Sequence, residues 1–232
     1  MRKLLPVIGI LLIAACFTSS CKKDYYKDGG LANPKYNGSM YQYLEKSNTG
    51  LLDTIAYIVQ RAGLKEVLEK EDVTFFCPTD QSIYTAMNAL NGYRNRYYKD
   101  SLTLDQVPPI IWKKFLERYI IEGKHVAKQF ARVDPNNIYA YPGINYISRN
   151  GFILNIGLIY QDYGGVEAVG ARILRVTDIN IDPSNFLSNP WVLVASSDIQ
   201  PTNGVLHVLK IIHTFGFRGD FTDAVEQALI NQ

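Results

Sequence analysis

The sequence predicts an α+β domain in which N-terminal helices precede mostly antiparallel strands. In the first half of the chain, apolar residues recur at three- and four-residue steps, which is typical of amphipathic helices. After Gly123, short runs of β-branched and aromatic residues follow one another and are bounded by turn residues. Because the two kinds of segment are segregated along the chain, the pattern favours helices packed on a sheet over a doubly wound parallel sheet.

The helical half contains one strand-like run. In order, the predicted elements are a helical start near Met40, a helix from Leu51 to Ala62, a short helix over Leu64–Leu68, a strand over Val73–Cys77, a helix from Asp80 to Leu90, a polar stretch over 91–106 and a helix from Ile110 to Tyr119. Asn48 or Thr49 is available to cap the second of these. Thr79 and Asp80 follow Pro78 as a typical helix entry, and we interpret both as capping residues.

The second half is strand-like until the C-terminal helix. The predicted strands are Tyr146–Ser148, Phe152–Leu158, Ala171–Ile179, Trp191–Ser196 and Val205–Ile211. Asn150-Gly151 lies between the first two and is a strong hairpin signal. After the last strand, Asp220 is placed to cap a helix with apolar residues at helical spacing.

The N-terminus has the pattern of an export signal. Arg2 and Lys3 are followed by twelve mainly apolar residues, Leu4–Ala15, and then by the small residues 18–20. The apolar run is shorter than the ~18 residues that a membrane-spanning helix needs. Cys21 comes directly after the small residues, which predicts a lipoprotein signal whose cysteine is acylated and becomes the new N-terminus. A plain signal with a chance cysteine is the alternative.

These patterns divide the chain into four parts. They are a lipoprotein signal peptide over 1–20, a lipidated tether over 21–39, a domain over 40–218 and a C-terminal helix over 219–232. The predicted location is the outer membrane, lipid-anchored, on either its periplasmic or its surface face.

Charge and cysteine usage limit the classes of partner and the thiol chemistry that the chain can have. The chain has 24 basic and 22 acidic residues, and removal of the signal, with its two basic residues, leaves 22 of each sign. A neutral chain without a basic block is a poor partner for nucleic acid. Cys77 is then the one remaining unmodified thiol, and its apolar neighbours indicate a small buried residue.

Two segments resemble the signatures of fasciclin-like domains. Thr74-Phe75-Phe76-Cys77-Pro78-Thr79-Asp80 is similar to the first signature, which usually reads Thr-Val-Phe-Ala-Pro-Thr before Asn or Asp. Residues 198–208, Asp-Ile-Gln-Pro-Thr-Asn-Gly-Val-Leu-His-Val, are similar to the second, which contains Asn-Gly-Val-Ile-His-Val. The matching positions that we single out as structural signature residues are Thr74, Pro78, Thr79, Asp80, Asn203, Gly204 and His207.

This resemblance implies a compact wedge of β-sheet with helices packed on it, and a role in adhesion or extracellular binding. One departure matters, because the family often has Leu-x-Tyr-His-Val-Val-x-Gly between its signatures. In this chain Arg118-Tyr119 stands at the Tyr-His positions. Integrin adhesion attributed to that segment is therefore not implied here.

The second signature also has a direct physical interpretation. Asn203-Gly204 suits a turn with positive φ that delivers the chain into its final strand. In that strand His207 shares a face with Val205 and Leu209. We interpret His207 as a hydrogen-bonded core histidine rather than a ligand or a catalytic base.

Two short motifs match functional patterns but give little support for the corresponding functions. Arg218-Gly219-Asp220 spells an integrin-recognition tripeptide, but a three-residue match arises easily by chance, and a turn before the last helix explains it. Asp178, Asn180 and Asp182 have the alternate spacing of a calcium loop, yet Pro183 replaces the required glycine. No calcium or other metal site is predicted.

Catalysis has little support in the sequence. The chain has three histidines, His125, His207 and His213, and lacks the usual hydrolase, metalloprotease and phosphate-loop motifs. Ser196 and Asp198 can be drawn with His207 as a triad, but Ser196 is interpreted as a strand end. The sequence therefore predicts a protein that is not an enzyme and needs no cofactor.

The sixteen tyrosines are the remaining clue to a ligand. Tyr139 and Tyr141 share a face if their segment is extended, and Tyr146 follows closely, so these three are candidates to stack on sugar rings. Ordinary half-buried strand tyrosines are the alternative.

The resulting expectation is a lipid-anchored binding or adhesion module of the fasciclin type in the bacterial envelope, with a protein or glycan ligand at the cell surface. The alternative is an accessory glycan- or partner-binding lipoprotein of an outer-membrane polysaccharide-uptake assembly. An uncharacterised hydrolase is the least supported of the three hypotheses.

Overall fold

The structure is a computed structural model that describes residues 33–47, 50–182 and 186–231. The predicted signal peptide, Cys21 and most of the predicted tether lie outside the described residues, as do Asn48, Thr49 and Pro183. Within the described ranges, no helix combines the length and the apolar character needed to cross a membrane.

The helices lie mainly before the sheet-forming half of the chain. They are α1 Met40–Lys46, α2 Asp53–Arg61, α3 Lys65–Lys70, α4 Asp80–Arg96, α5 Pro109–Leu116 and α6 Phe221–Ile230. Short 3-10 helices cover Leu104–Gln106, Glu117–Tyr119, Ala127–Gln129 and Phe186–Ser188. Helix α4 continues through Arg96, six residues past the predicted end at Leu90.

The described strands form one seven-stranded sheet. They are β1 Val73–Cys77, β2 Ile120–Glu122, β3 Ile144–Ile147, β4 Ile153–Tyr160, β5 Arg172–Asp178, β6 Trp191–Ile199 and β7 Gly204–Leu209. Their order in the sheet is β2-β1-β7-β6-β5-β4-β3, and every neighbouring pair is antiparallel except β1 and β7. The predicted α+β class, with mostly antiparallel strands, is confirmed.

The two outer strands of the sheet come close to each other. Ile121 of β2 forms an isolated antiparallel bridge with Ser148, which directly follows β3. The Arg149 N–H donates to the Ile120 carbonyl at 2.8 Å. The sheet is therefore wrapped almost into a barrel, which protects much of its outer edge.

Strand β2 was not predicted. The sequence suggested a helix through Tyr119, but α5 ends at Leu116 and a 3-10 helix leads directly into Ile120. Three residues are too few to show a periodicity of two. The strand exists because β1 offers it a pairing partner, with Thr74 opposite Ile121.

The two signature segments meet at the centre of the sheet. They form the parallel pair β1–β7, in which Thr74 lies opposite Val205 and Phe76 opposite His207. All five residues of β1 are buried, as expected of a strand covered on both faces. Cys77 is among them, and burial raises the pKa of its thiol well above the ordinary value.

Gly204 is needed for space rather than for its backbone angle. The predicted positive φ at Asn203-Gly204 is wrong, since neither residue has one. A Cβ at Gly204 would lie 2.3 Å from the Val73 carbonyl oxygen, so only glycine allows β7 to start this close to β1.

Helices α5 and α6 pack against each other and against the loop that follows β7 through a cluster of aromatic rings. The centroids of Trp112 and Phe221 are 5.1 Å apart, and those of Phe115 and Phe215 are 5.7 Å apart. Tyr119 stacks on Phe217 at 5.2 Å. These contacts join the C-terminal helix to the core.

Candidate functional site

The first-signature residue Thr74 bonds to main-chain atoms. The Thr74 hydroxyl donates to the Gly123 carbonyl at 2.7 Å and accepts the His125 N–H at 2.8 Å, which fixes the turn after β2. Thr79 occupies the N-cap position of α4, directly after Pro78, although its side chain makes no capping bond. These contacts give the first signature a structural role.

Asp80 caps a helix other than its own. Its two carboxylate oxygens accept the N–H groups of Thr54 and Ile55, each at 3.1 Å, at the start of α2. The N-cap residue of α2 is Leu52, which has no side-chain acceptor. Asp80 therefore supplies from α4 the cap that the sequence suggested would come from Asn48 or Thr49.

Asn203 joins three elements through its side-chain amide. Its oxygen accepts the Met40 N–H at 2.8 Å, and its nitrogen donates to the carbonyls of Leu68 and Glu71 at 3.0 and 3.1 Å. The amide thereby ties β7 to the start of α1 and the end of α3.

His207 is fully buried, and both ring nitrogens are hydrogen-bonded. Nδ1 accepts the Asp198 N–H at 3.2 Å, so Nε2 carries the proton and donates to the His125 carbonyl at 2.9 Å. The ring stacks on Phe76 at 5.1 Å, and burial lowers the pKa of His207.

These contacts do not form a catalytic triad. The carboxylate of Asp198 accepts the Ala127 N–H at 2.6 Å, and it is the main-chain N–H of Asp198 that bonds the imidazole of His207. Ser196 is exposed and lies in the ladder opposite Val208.

Tyr119 and His213 form a second buried polar chain. The Gly216 N–H donates to the Tyr119 hydroxyl at 2.6 Å, so the hydroxyl proton points to His213 Nε2 at 2.7 Å. Burial raises the pKa of Tyr119 and lowers that of His213 to about 3. Neither side chain is placed to exchange protons with a ligand in solution.

Both charged side chains of the 218–220 tripeptide are engaged in ion pairs. Arg218 donates to the buried carboxylate of Asp178 at 2.6 and 3.1 Å, and Asp220 accepts from Arg118 at 2.9 and 2.7 Å. Arg118 is itself buried. Asp220 occupies the N-cap position of α6, but its carboxylate bonds to Arg118 instead of capping the helix.

The ion pair with Arg218 occupies the carboxylate of Asp178, which the sequence spacing offers as a calcium ligand. Burial alone would raise the pKa of Asp178, but hydrogen bonds from Arg218 and Asn180 outweigh it and lower the pKa. Among the described residues, no group of three or more His, Cys, Asp or Glu side chains is arranged to hold a metal ion.

The three candidate tyrosines do not share a face. Tyr139 lies in a turn and is fully exposed, so the premise of an extended segment is wrong. Tyr146 is half-buried and packs edge-on against Phe130, with ring centroids 5.4 Å apart. Of the three, only Tyr141 lines a groove.

That groove lies between two loops and has a volume of about 910 Å³. The first loop, residues 134–141, is closed by the Asp134 N–H, which donates to the Tyr141 carbonyl at 3.0 Å. The second loop, residues 162–170, follows β4 and is closed by a 3.0 Å bond from the Gln161 N–H to the Ala171 carbonyl. Its polar and aromatic lining includes Arg132, Asp134, Asn137, Tyr141, Tyr160 and Asp162. We call it the tyrosine groove.

Arg132 organises the tyrosine groove. Its guanidinium lies 3.8 Å from the ring centroid of Tyr141 and 5.4 Å from that of Tyr160, and it pairs with Asp134 at 3.0 Å. Its Nε is buried and has no hydrogen-bond partner. The groove thus combines aromatic rings, a guanidinium, amides and carboxylates, a set of groups suited to a polyhydroxy ligand.

No local pattern in the sequence singles out Arg132 or Tyr160 as groove residues. Tyr160 ends β4, and Arg132 lies 28 residues earlier in the chain, just before the loop 134–141. Their proximity depends on Arg132 bridging to Leu158 of β4, a non-local pairing that no local pattern reveals.

No family model matches the chain, and no curated protein sequence matches it. Among solved structures, it is similar to a FAS1 domain pair from the insect cell adhesion molecule fasciclin I, with a TM-score of 0.46 and 14% sequence identity. The alignment covers 74% of this chain and 49% of that chain, so this chain spans about half the length of the structure it matches.

Proposed function

We propose that this protein is a lipid-anchored, non-catalytic binding module of the fasciclin type in the bacterial envelope, and that it holds a glycan in the tyrosine groove. The observation that carries the proposal is the groove itself, where Tyr141 and Tyr160 flank Arg132 among amide and carboxylate groups. Rings and planar polar groups of this kind bind sugars by stacking and by paired hydrogen bonds.

Membership of the fasciclin type is supported by where the two signatures lie. They are about 125 residues apart in the sequence, yet they pair in parallel over the full length of β1. Asp80 and Asn203, one from each signature, hydrogen-bond the main chain of neighbouring helices. The resemblance therefore falls on residues that build the domain.

A binding role is favoured over catalysis by the state of the polar groups. In the tyrosine groove, Asp134 already accepts from Arg132 and from the Asn136 N–H, and Asp162 accepts the Ala168 N–H at 2.9 Å. General acid–base work needs titratable groups that converge on a reacting bond. Asp134 and Asp162, two of the three carboxylates that line the groove, instead hold the loops in shape.

An accessory role in polysaccharide uptake is the second candidate, and the same groove favours it. In that role the lipid anchor would keep the groove beside an outer-membrane transporter, and the glycan would be cargo rather than an adhesion target.

The test is a glycan-binding screen on the full chain in detergent, followed by titration of the sugars that bind. The Tyr141→Ala and Tyr160→Ala variants should each weaken binding about fivefold or more, because truncating a central aromatic contact typically costs over ~1 kcal/mol. Tyr160→Phe keeps the ring and should retain most of the affinity. Tyr98→Ala, which removes a fully exposed ring far along the chain, is the matched control.

Two results would contradict the proposal. One is glycan binding that survives the double Tyr141→Ala, Tyr160→Ala change. The other is hydrolysis of a bound glycan that a single Asp or Glu substitution abolishes in a folded variant.

A further inference from the structure

Strands β5 and β6 pair over only part of their length. Their register joins Arg175–Thr177 to Trp191–Leu193. Continued by two residues, it would place Ile173 opposite Ala195, but this pair does not form, although both residues belong to described strands. The two strands therefore diverge within the sheet.

The divergence has a cause in β6. Its pairing with β7 shifts register between Val194 and Ser196 and again between Ser196 and Ile199. Asp198, inside the second shift, has a φ of 64°, which a non-glycine residue rarely adopts. Irregularities of this kind bend a strand and increase its twist, which accounts for the departure of β6 from β5 beyond Leu193.

The result is a cleft of about 320 Å³ between the two strands. Its lining includes Arg172, Ile173, Leu174, Ala195, Ser197 and Lys210. We call it the β5–β6 cleft. Because strand β5 is paired with β4 on its other side, the main-chain groups that face the cleft have no strand partner over 172–174. Open strand edges of this kind accept an added strand.

The charge at the cleft determines which kind of peptide can bind there as an added strand. Arg172 and Lys210 are exposed, neither has an ion-pair partner among the described residues, and no acidic residue contributes to the lining. The Arg172 guanidinium lies 4.5 Å from the Tyr160 ring centroid, a contact that holds it in place. Carboxylates are the complementary groups.

An apolar pocket of about 500 Å³ adjoins the cleft and shares Ala195 and Lys210 with it. It includes the side chains of Trp191 and Ile212, which are 51% and 91% exposed. Side chains of an extended peptide alternate between two sides, so acidic residues can reach the cations while an apolar residue reaches this pocket.

We propose that the β5–β6 cleft binds an extended, acidic segment of a protein partner by strand addition, with an apolar side chain of the segment in the adjoining pocket. This site is separate from the tyrosine groove, and its existence does not depend on glycan binding. It gives the module a second surface, one that recognises a polypeptide.

The experiment uses the full chain in detergent and a fluorescein-labelled peptide, Glu-Val-Asp-Val-Glu-Leu, with Lys-Val-Lys-Val-Lys-Leu as its charge-reversed partner. Fluorescence polarisation should show binding of the acidic peptide alone, weakened by added salt. Reversal of both cations, Arg172→Glu with Lys210→Glu, should weaken binding about tenfold, since each exposed charge contributes modestly. Lys113→Glu, an exposed lysine on α5, is the control and should leave binding unchanged.

Hydrogen exchange separates strand addition from simple charge attraction. Bound peptide should slow exchange in segments 172–174 and 194–197, and N-methylation of alternate peptide amides should abolish binding. The proposal is overturned if the acidic peptide does not bind at millimolar concentration, or if the N-methylated peptide binds as tightly as the unmodified one. It is also overturned if the bound peptide leaves exchange in these segments unchanged and anionic lipid vesicles displace it from the same two cations.

Discussion

At the scale of single residues, four polar signature side chains bind the protein's own main chain. Thr74, Asp80, Asn203 and His207 each hydrogen-bond backbone groups of another element, and each is buried. Buried polar groups of this kind are costly when one partner is lost, because the other is left without a hydrogen bond. Such residues define the fold and leave ligand binding to others.

Two buried histidines make the domain sensitive to acid. The pKa of His213 is lowered to about 3 in the folded state, against about 6.5 for an imidazole in an unfolded chain, and burial also lowers the pKa of His207. Between pH 6.5 and 3 the unfolded chain therefore binds more protons, so the free energy of unfolding falls as the pH falls. For His213 the loss is at most about 1.4 kcal/mol per pH unit.

Urea unfolding at pH 7.5, 6.0, 5.0 and 4.0 measures this effect. His213→Gln keeps an acceptor for the Tyr119 hydroxyl but cannot be protonated, so its stability should fall less steeply below pH 6.5 than that of the wild type. Parallel pH profiles for the two proteins would show that His213 is not responsible.

At the scale of elements, helix α2 depends on a residue that lies 26 positions beyond Thr54. Asp80→Ala would leave the buried N–H groups of Thr54 and Ile55 without acceptors. We expect a loss of about 1–3 kcal/mol in the free energy of unfolding, in the range of a deleted N-cap. Chemical denaturation measures it.

Asp53→Ala is the matched control for this change. Asp53 is an exposed acid in the first turn of the same helix, so its loss should cost only about 0.3–1 kcal/mol through the helix dipole. Equal losses for the two variants would mean that Asp80 acts as a nearby charge and not as a cap.

The elements differ in how well their sequences predict them. The amphipathic run of α2 and the β-branched runs of β4 to β7 give clear periodicity, and their positions follow from it. Strand β2 and the cap of α2 depend on partners distant in the chain, namely β1 and Asp80, so a local pattern cannot reveal them. The tyrosine groove depends in the same way on Arg132 reaching β4.

At the scale of the whole molecule, the two proposed binding surfaces differ in their chemistry. The tyrosine groove offers aromatic rings, amides and carboxylates around the paired guanidinium of Arg132, and the β5–β6 cleft offers two cations without an ion-pair partner and open strand edges. Arg172 relates the two, since it lines the cleft and also lies over the ring of Tyr160.

Attachment to the membrane is the remaining property of the whole chain, and we expect it to depend on lipid. Removal of residues 1–20 leaves 22 basic and 22 acidic residues, so net charge does not draw the mature chain to an anionic bilayer. One acyl chain gives only marginal binding, and stable anchoring needs a second signal. An acylated Cys21 that carries more than one chain satisfies this requirement.

The Cys21→Ser variant tests the anchor directly. Without the thiol there is no site for the acyl chains, so the variant should move from the membrane fraction to the soluble fraction and lose incorporation of an alkyne-labelled fatty acid. Cys16→Ser is the matched control, because it changes a cysteine of the same signal segment and should leave both readouts as in the wild type. Membrane retention of Cys21→Ser equal to that of the wild type would rule out lipid attachment at this position, and retention with loss of the fatty-acid label would point to attachment through a protein partner instead.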